Sequence, residues 1–225
     1  MLLVAALAIL TLLAGCGSSD NGVASKSPKE ILQASKAAAI SANSVHVVGV
    51  SKVQRSSFTI DAHLARDRAR SRISLLGSGY EAIRIGGTVY VKGPPAFYTR
   101  LGARLGKPLH VPRGTWLKAP AGSGPLGELA ALTDLPKELN RVLSTSAYLT
   151  KGVSTTIDGQ KAIALKEKAK LYEGVLYVAS TGKPYPLLFL KNGGRERGRT
   201  SFTGWDQDVS LSAPSPSVGV DSLTR

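Results

Sequence analysis

From Ser44 onward, apolar and polar residues alternate with a period of two. The stretch "SFTIDAHLAR" sets Phe58, Ile60, Ala62 and Leu64 on one face and Thr59, Asp61 and His63 on the other. "DRARSRISLL" does the same, with Ala69, Ser71 and Ile73 opposed to Arg68, Arg70 and Arg72. Period two with one apolar face predicts antiparallel strands that lie half on a core and half in water. "YEAIRIGGTVYVKG" predicts two strands joined at Gly86-Gly87, a strong hairpin signal. The pattern returns in "AYLTKGVSTTIDGQKAIALKE", which turns at Asp158-Gly159. "KLYEGVLYVAST" and "GKPYPLLFLKN" follow, separated by Gly182, then "RGRTSFTGW" after Gly193-Gly194, and "DVSLSAP" as the expected closing strand.

Helical spacing appears in two places. Ser27, Pro28 and Glu30 form a capping-box start, and Ile31, Ala34, Ala38 and Ala42 then mark one face of a helix that ends near Asn43. In the middle, "LGELAALTDLPKELNRVLSTS" spaces Leu126, Leu129, Ala130 and Leu132, then Leu135, Leu139, Val142 and Leu143, as two short helices broken around Pro136. "PPAFYTRLGARLG" reads as a short helix or irregular segment, and "GTWLKAP" as a brief strand. About ten or eleven strands outnumber three or four helical pieces, with no βαβ alternation. The expected fold class is α+β: a large antiparallel sheet that curls, with helices covering its inner face.

The chain begins differently. Residues 1–15 are uncharged and almost wholly apolar, shorter than the roughly 20 residues of a spanning helix. A polar Gly/Ser/Asp/Asn stretch follows at once. A short apolar run ending in small residues is the form of an export signal. Its end, Leu13-Ala14-Gly15-Cys16, resembles the lipobox of bacterial lipoproteins, in which the cysteine sulfur receives the lipid and the leader is cut before it. The basic residues that usually precede such a run are missing. The expected organisation is a lipoprotein signal at 1–15, a flexible tether at 16–27, one domain at 28–213 and a loose tail at 214–225.

Composition narrows the function. Cys16 is the single cysteine, so no disulfide staples the fold. The formal net charge is +14. For an exported chain, the polyanions within reach are lipid head groups and wall polymers, so no nucleic-acid partner is expected. The basic clusters "RDRARSR" (66–72) and "RERGR" (195–199) read as solvated edges able to touch head groups. Of His46, His63 and His110, no two have i, i+4 spacing, so neither a metal nor a cofactor is expected. There is no Gly-x-Ser-x-Gly elbow, and "GSGPLG" lacks the lysine of a phosphate-binding loop. An exported hydrolase would need a nucleophile–base pair that these motifs do not offer.

Lipobox, capped helix, long meander, central helices and second meander occur in an order that resembles the LolA-like lipoproteins of actinobacteria. These include the mycobacterial lipid carriers grouped as LppX and LprAFG. The phrases that carry the resemblance are "ASKAAAISANSVHVVGV", "IRIGGTVYVKG", "TTIDGQKAIALKE" and "LYVASTGKPYPLLF". The resemblance implies an unclosed half-barrel (about 10–11 strands) whose concave face, lidded by helices, is apolar, with no catalytic signature; the leader and Cys16 add the expectation of a non-enzymatic, monomeric lipoprotein held on the outer face of the cytoplasmic membrane. It would carry a lipid or glycolipid in an apolar cleft between sheet and helices. From alternation, the expected cleft lining is Ile83, Ile85, Val89, Val91, Leu176, Val178, Leu188 and Leu190. The second reading is an envelope interaction or scaffold lipoprotein whose core is filled.

Overall fold

Ser27 begins the first helix with both halves of a capping box. The Ser27 hydroxyl accepts from the Glu30 amide, and the Glu30 carboxylate accepts from the Ser27 amide at 2.9 Å. Two orphan amides of the first turn are thereby satisfied. The helix, α1, runs Pro28–Ser41 and buries Ile31, Ser35 and Ala39. The buried face is thus rotated slightly from the alanine stripe, and it carries a serine. The computed structural model describes residues 19–53, 56–75, 77–122, 124–130, 133–144, 148–170, 172–193 and 196–223. Leu13, Ala14, Gly15 and Cys16 lie outside these residues.

Five strands follow α1 as a meander: β1 (Ser44–Val53), β2 (Ser56–Ala65), β3 (Arg68–Leu75), β4 (Ser78–Ile85) and β5 (Thr88–Lys92). Helix α2 (Pro95–Leu105) ends at Gly106, whose φ of 73° suits a residue without Cβ. Strand β6 (Trp116–Pro120) and helices α3 (Gly124–Ala130) and α4 (Leu135–Val142) come next. Asp134 caps α4 by accepting from the Lys137 amide. Pro136 therefore sits in the first turn of α4, where a missing N–H costs nothing, and it starts the helix instead of breaking it. The second meander is β7 (Tyr148–Ile157), β8 (Gln160–Lys168), β9 (Glu173–Ala179), β10 (Pro186–Asn192) and β11 (Glu196–Thr203).

The strands form one sheet of 12, in the order β12-β6-β5-β4-β3-β2-β1-β11-β10-β9-β8-β7. β1 and β11 join the two meanders. All pairs are antiparallel except β12 (Ser217–Gly219), which lies parallel to β6. "DVSLSAP" forms no strand; the sheet instead ends at β12, within the expected loose tail. Val218, Val220 and Leu223 pack on apolar side chains of β5, β6 and α2, which holds residues 217–223 against the sheet.

The expected tether is also largely built into the fold. Asp20 bridges to Thr181. The Asn21 side-chain amide donates to the carbonyls of Ala179 and Gly182, both at 3.0 Å. Val23 is buried. Composition suggested a solvated linker, but here the polar side chains satisfy the open ends of β9 and its following turn.

Candidate functional site

The register fixes which side chains share a face. Phe202, Val47, Ala62, Ser71, Ala82, Val91 and Leu117 form one continuous row across seven strands. All seven are buried, because this is the face that the helices cover. Helices α1 and α4 lie over the half that contains β7–β11 and β1–β3. Helices α2 and α3 lie over β4–β6. Each helix pair has its own apolar cluster, and Tyr80 touches both. Its ring stacks on Phe97, with centroids 5.1 Å apart. Burial pushes its hydroxyl up to about 12, so it stays neutral.

Arg84 also projects from this face, in the row of Ala69 and Val89. Its guanidinium donates to the carbonyls of Ala65 (3.2 Å) and Arg66 (3.1 Å) at the β2–β3 corner. It also donates to the carbonyl of Thr133 (3.3 Å), between α3 and α4.

An apolar crevice lies between α1, the end of α4 and strands β7–β10. Its walls are Leu32, Leu143, Leu149, Leu165, Leu176 and Phe189, with the Glu167 carboxylate at one side. The free volume is about 10 Å³, room for a single water. The arrangement can exclude water and accept apolar groups if the helices withdraw.

The opposite face is different. Ser201, Val48, Asp61, Arg72, Glu81 and Lys92 form a row there. A groove of about 610 Å³ crosses β1–β6, walled by Val48, Asp61, Arg72, Glu81 and Lys92 of this row and by Val50, Thr59, Ser74, Gly79 and Trp116. Val48 and Val50 are 39% and 46% exposed, whereas Ile60 and Ile73 beneath them are 6% and 3% exposed. The groove therefore belongs to the open face. Its lining is mostly apolar, with Asp61, Arg72, Glu81 and Lys92 supplying charge.

The eight residues expected to line a cleft divide between the two faces. Val89, Val91, Leu176 and Val178 project under the helices, and Leu176 borders the crevice. Ile83 and Ile85 pair with Tyr90 and Thr88 and point to the open face, as do Leu188 and Leu190, which pair with Tyr177 and Val175. The reason is register. A two-residue turn at Gly86-Gly87 makes Ile85 the partner of Thr88, so Ile83 and Ile85 cannot share a face with Val89 and Val91. In "PLLFLKN" a shift between Pro186 and Leu188 leaves Phe189 pointing inward.

The basic run 66–72 is largely engaged. Arg66 donates to the carbonyls of Ile40 and Ser41 at the end of α1. Arg68 pairs with Asp67, while Arg70 and Arg72 share Glu81. In the run 195–199, Arg195 lies outside the described residues.

An unclosed curled sheet with helices packed on one face is the LolA-like fold of bacterial lipoproteins, and this chain has that fold. Among solved structures it is similar to LprF from Mycobacterium bovis, with a TM-score of 0.57, 14% identity, and coverage of 83% of this chain and 96% of LprF. It is also similar to the Mycobacterium tuberculosis lipoprotein LppX, with a TM-score of 0.53, 14% identity, and coverage of 86% of this chain and 100% of LppX. No family model matches the sequence, and no curated protein matches it. Among the described residues, no helix is long and apolar enough to cross a membrane.

Proposed function

We propose that this protein is a non-enzymatic cell-envelope lipoprotein that binds a lipid or glycolipid between its sheet and its helices. Cys16 carries the acyl anchor, on the outer face of the cytoplasmic membrane. The observation that supports this most directly is the crevice under α1 and α4, walled by five leucines and Phe189. Each methylene buried there would stabilise a complex by about 0.8 kcal/mol. The likeness to a lipoprotein fold and the Leu-Ala-Gly-Cys sequence at residues 13–16 agree with the anchor. The test is native mass spectrometry of protein purified from its own envelope. A co-purifying lipid mass is expected. Protein that is lipid-free, and that takes up no acyl chain when one is offered, overturns the reading. Cys16→Ser is expected to lose membrane retention, and its continued retention overturns the anchor.

One observation favours the second reading. The crevice holds only about 10 Å³, as a filled core would. An interaction or scaffold lipoprotein needs no more. The two readings part on whether α1 and α4 move apart when acyl chains are offered.

A further inference from the structure

Pairing of β1 with β2 sets His46 directly opposite His63 on the open face, with Asp61 on the same face two residues before His63. The two imidazoles stack with centroids 3.9 Å apart and planes 3° from parallel. His46 Nε2 lies 2.8 Å from Asp61 Oδ1. One ligand atom from each of the three side chains lies within 4.8 Å of the other two. Two imidazole nitrogens and one carboxylate oxygen make a borderline donor set, suited to zinc, copper(II) or nickel.

We propose that His46, Asp61 and His63 bind a divalent transition-metal ion, with its remaining positions open to water. A tetrahedral ion with bonds near 2.1 Å needs its ligand atoms about 3.4 Å apart. The His46–Asp61 pair, at 2.8 Å, must therefore open slightly, while the His63 nitrogen closes by on the order of 1 Å and one ring rotates out of the stack. That rotation meets solvent, because the His46 side chain is 29% exposed, the Asp61 side chain 48%, and His63 is exposed. Thr203, opposite His46 on β11, places its hydroxyl 3.5 Å from His46 Nδ1. This holds the ring with Nε2 toward Asp61, the orienting role that outer partners play around metal ligands. Arg70, opposite His63 on β3, is drawn toward Glu81 at 3.3 Å, which lessens its repulsion of a bound cation. The site lies on the face away from the helices and stands independently of lipid binding.

The experiment is isothermal titration of the tag-free protein with zinc chloride at neutral pH. One ion per chain is expected, with a Kd on the order of 10 μM or tighter. His63→Ala and Asp61→Asn are each expected to weaken binding by about tenfold or more, and His110→Ala to leave it unchanged. His63 and Asp61 are exposed, so both variants should fold; circular dichroism checks this. Nuclear magnetic resonance of the wild-type histidine rings provides a second readout, with zinc expected to shift His46 and His63 before His110. Binding weaker than about 1 mM, affinity undiminished in His63→Ala, or a first shift at His110 overturns the proposal.

Discussion

Arg84 donates across the helix-covered face to the carbonyl oxygen of Thr133, 3.3 Å away, while its other bonds hold the β2–β3 corner. One side chain thus joins the sheet to the segment between α3 and α4. Arg84→Met keeps the aliphatic bulk and removes the donors. Hydrogen bonds from a charged donor contribute about 1.5–3 kcal/mol each, and the leftover carbonyls can partly rehydrate. A loss of about 2 kcal/mol is expected in urea denaturation, with faster hydrogen exchange across α3 and α4 than across β1–β3.

Asp206 gathers three donors: Lys183 Nζ at 2.8 Å, Tyr185 Oη at 2.6 Å and the Asn43 amide at 2.8 Å. These bonds, led by that from Lys183, hold its carboxyl down at about 2, against 3.8 ordinarily. A folded-state value below the unfolded one means that unfolding takes up protons. The stabilisation is therefore complete above about pH 4 and fades as pH falls toward 2. Denaturation midpoints measured from pH 6 to pH 2 should show wild type exceeding Asp206→Asn at neutral pH, with the difference narrowing below pH 4.

Leu165 is 1% exposed and forms part of the crevice wall. Leu165→Ala is expected to cost about 2–5 kcal/mol in the lipid-free protein, through lost transfer energy and a cavity. If the crevice accepts acyl chains, the enlarged volume gains a ligand, and binding to the native state alone raises stability. Added lauric acid should then raise the variant's unfolding midpoint more than the wild type's.

Gly102 lies inside α2, where alanine would ordinarily be favoured by about 1 kcal/mol. A Cβ there would sit 2.7 Å from the Lys107 carbonyl oxygen and 3.2 Å from the Leu109 amide nitrogen. These backbone atoms of residues 107–109 cannot step aside as a flexible side chain can. Steric strain of about 1–3 kcal/mol outweighs the propensity gain. Thermal unfolding of Gly102→Ala should show a lower midpoint, despite the better helix former.

The fold was legible where one strand face meets water and the other meets core. In β2 and β3 that contrast is strong, so the inward positions of Ile60, Ala62, Leu64 and Ile73 follow from alternation alone. In β10 the contrast fails. Leu187 packs outward with Ala162 and Ala179, so apolar side chains occupy both faces and the pattern carries no phase. The crevice was partly hidden for another reason. Leu32, Leu143 and Leu149 belong to three separate elements, and no local spacing links them. Turn length did contain the phase of β4 against β5, because a two-residue loop leaves one pairing. The His46–His63 juxtaposition spans two strands, beyond any search for helical i, i+4 ligands. Residues 20–26 misled by composition, since Asp20, Asn21 and Ser25 bond backbone groups and Val23 is buried.

The clamp on Asn21 sets a length. Only five peptide steps separate it from Cys16, at most about 17 Å of extended chain. A domain of this size has a radius of gyration of about 17 Å. With Cys16 acylated as proposed, the protein stands on the bilayer like a short post, with the turns after β7 and β9 at its foot. Held so, a domain that binds lipid as proposed above would exchange it close to the bilayer surface.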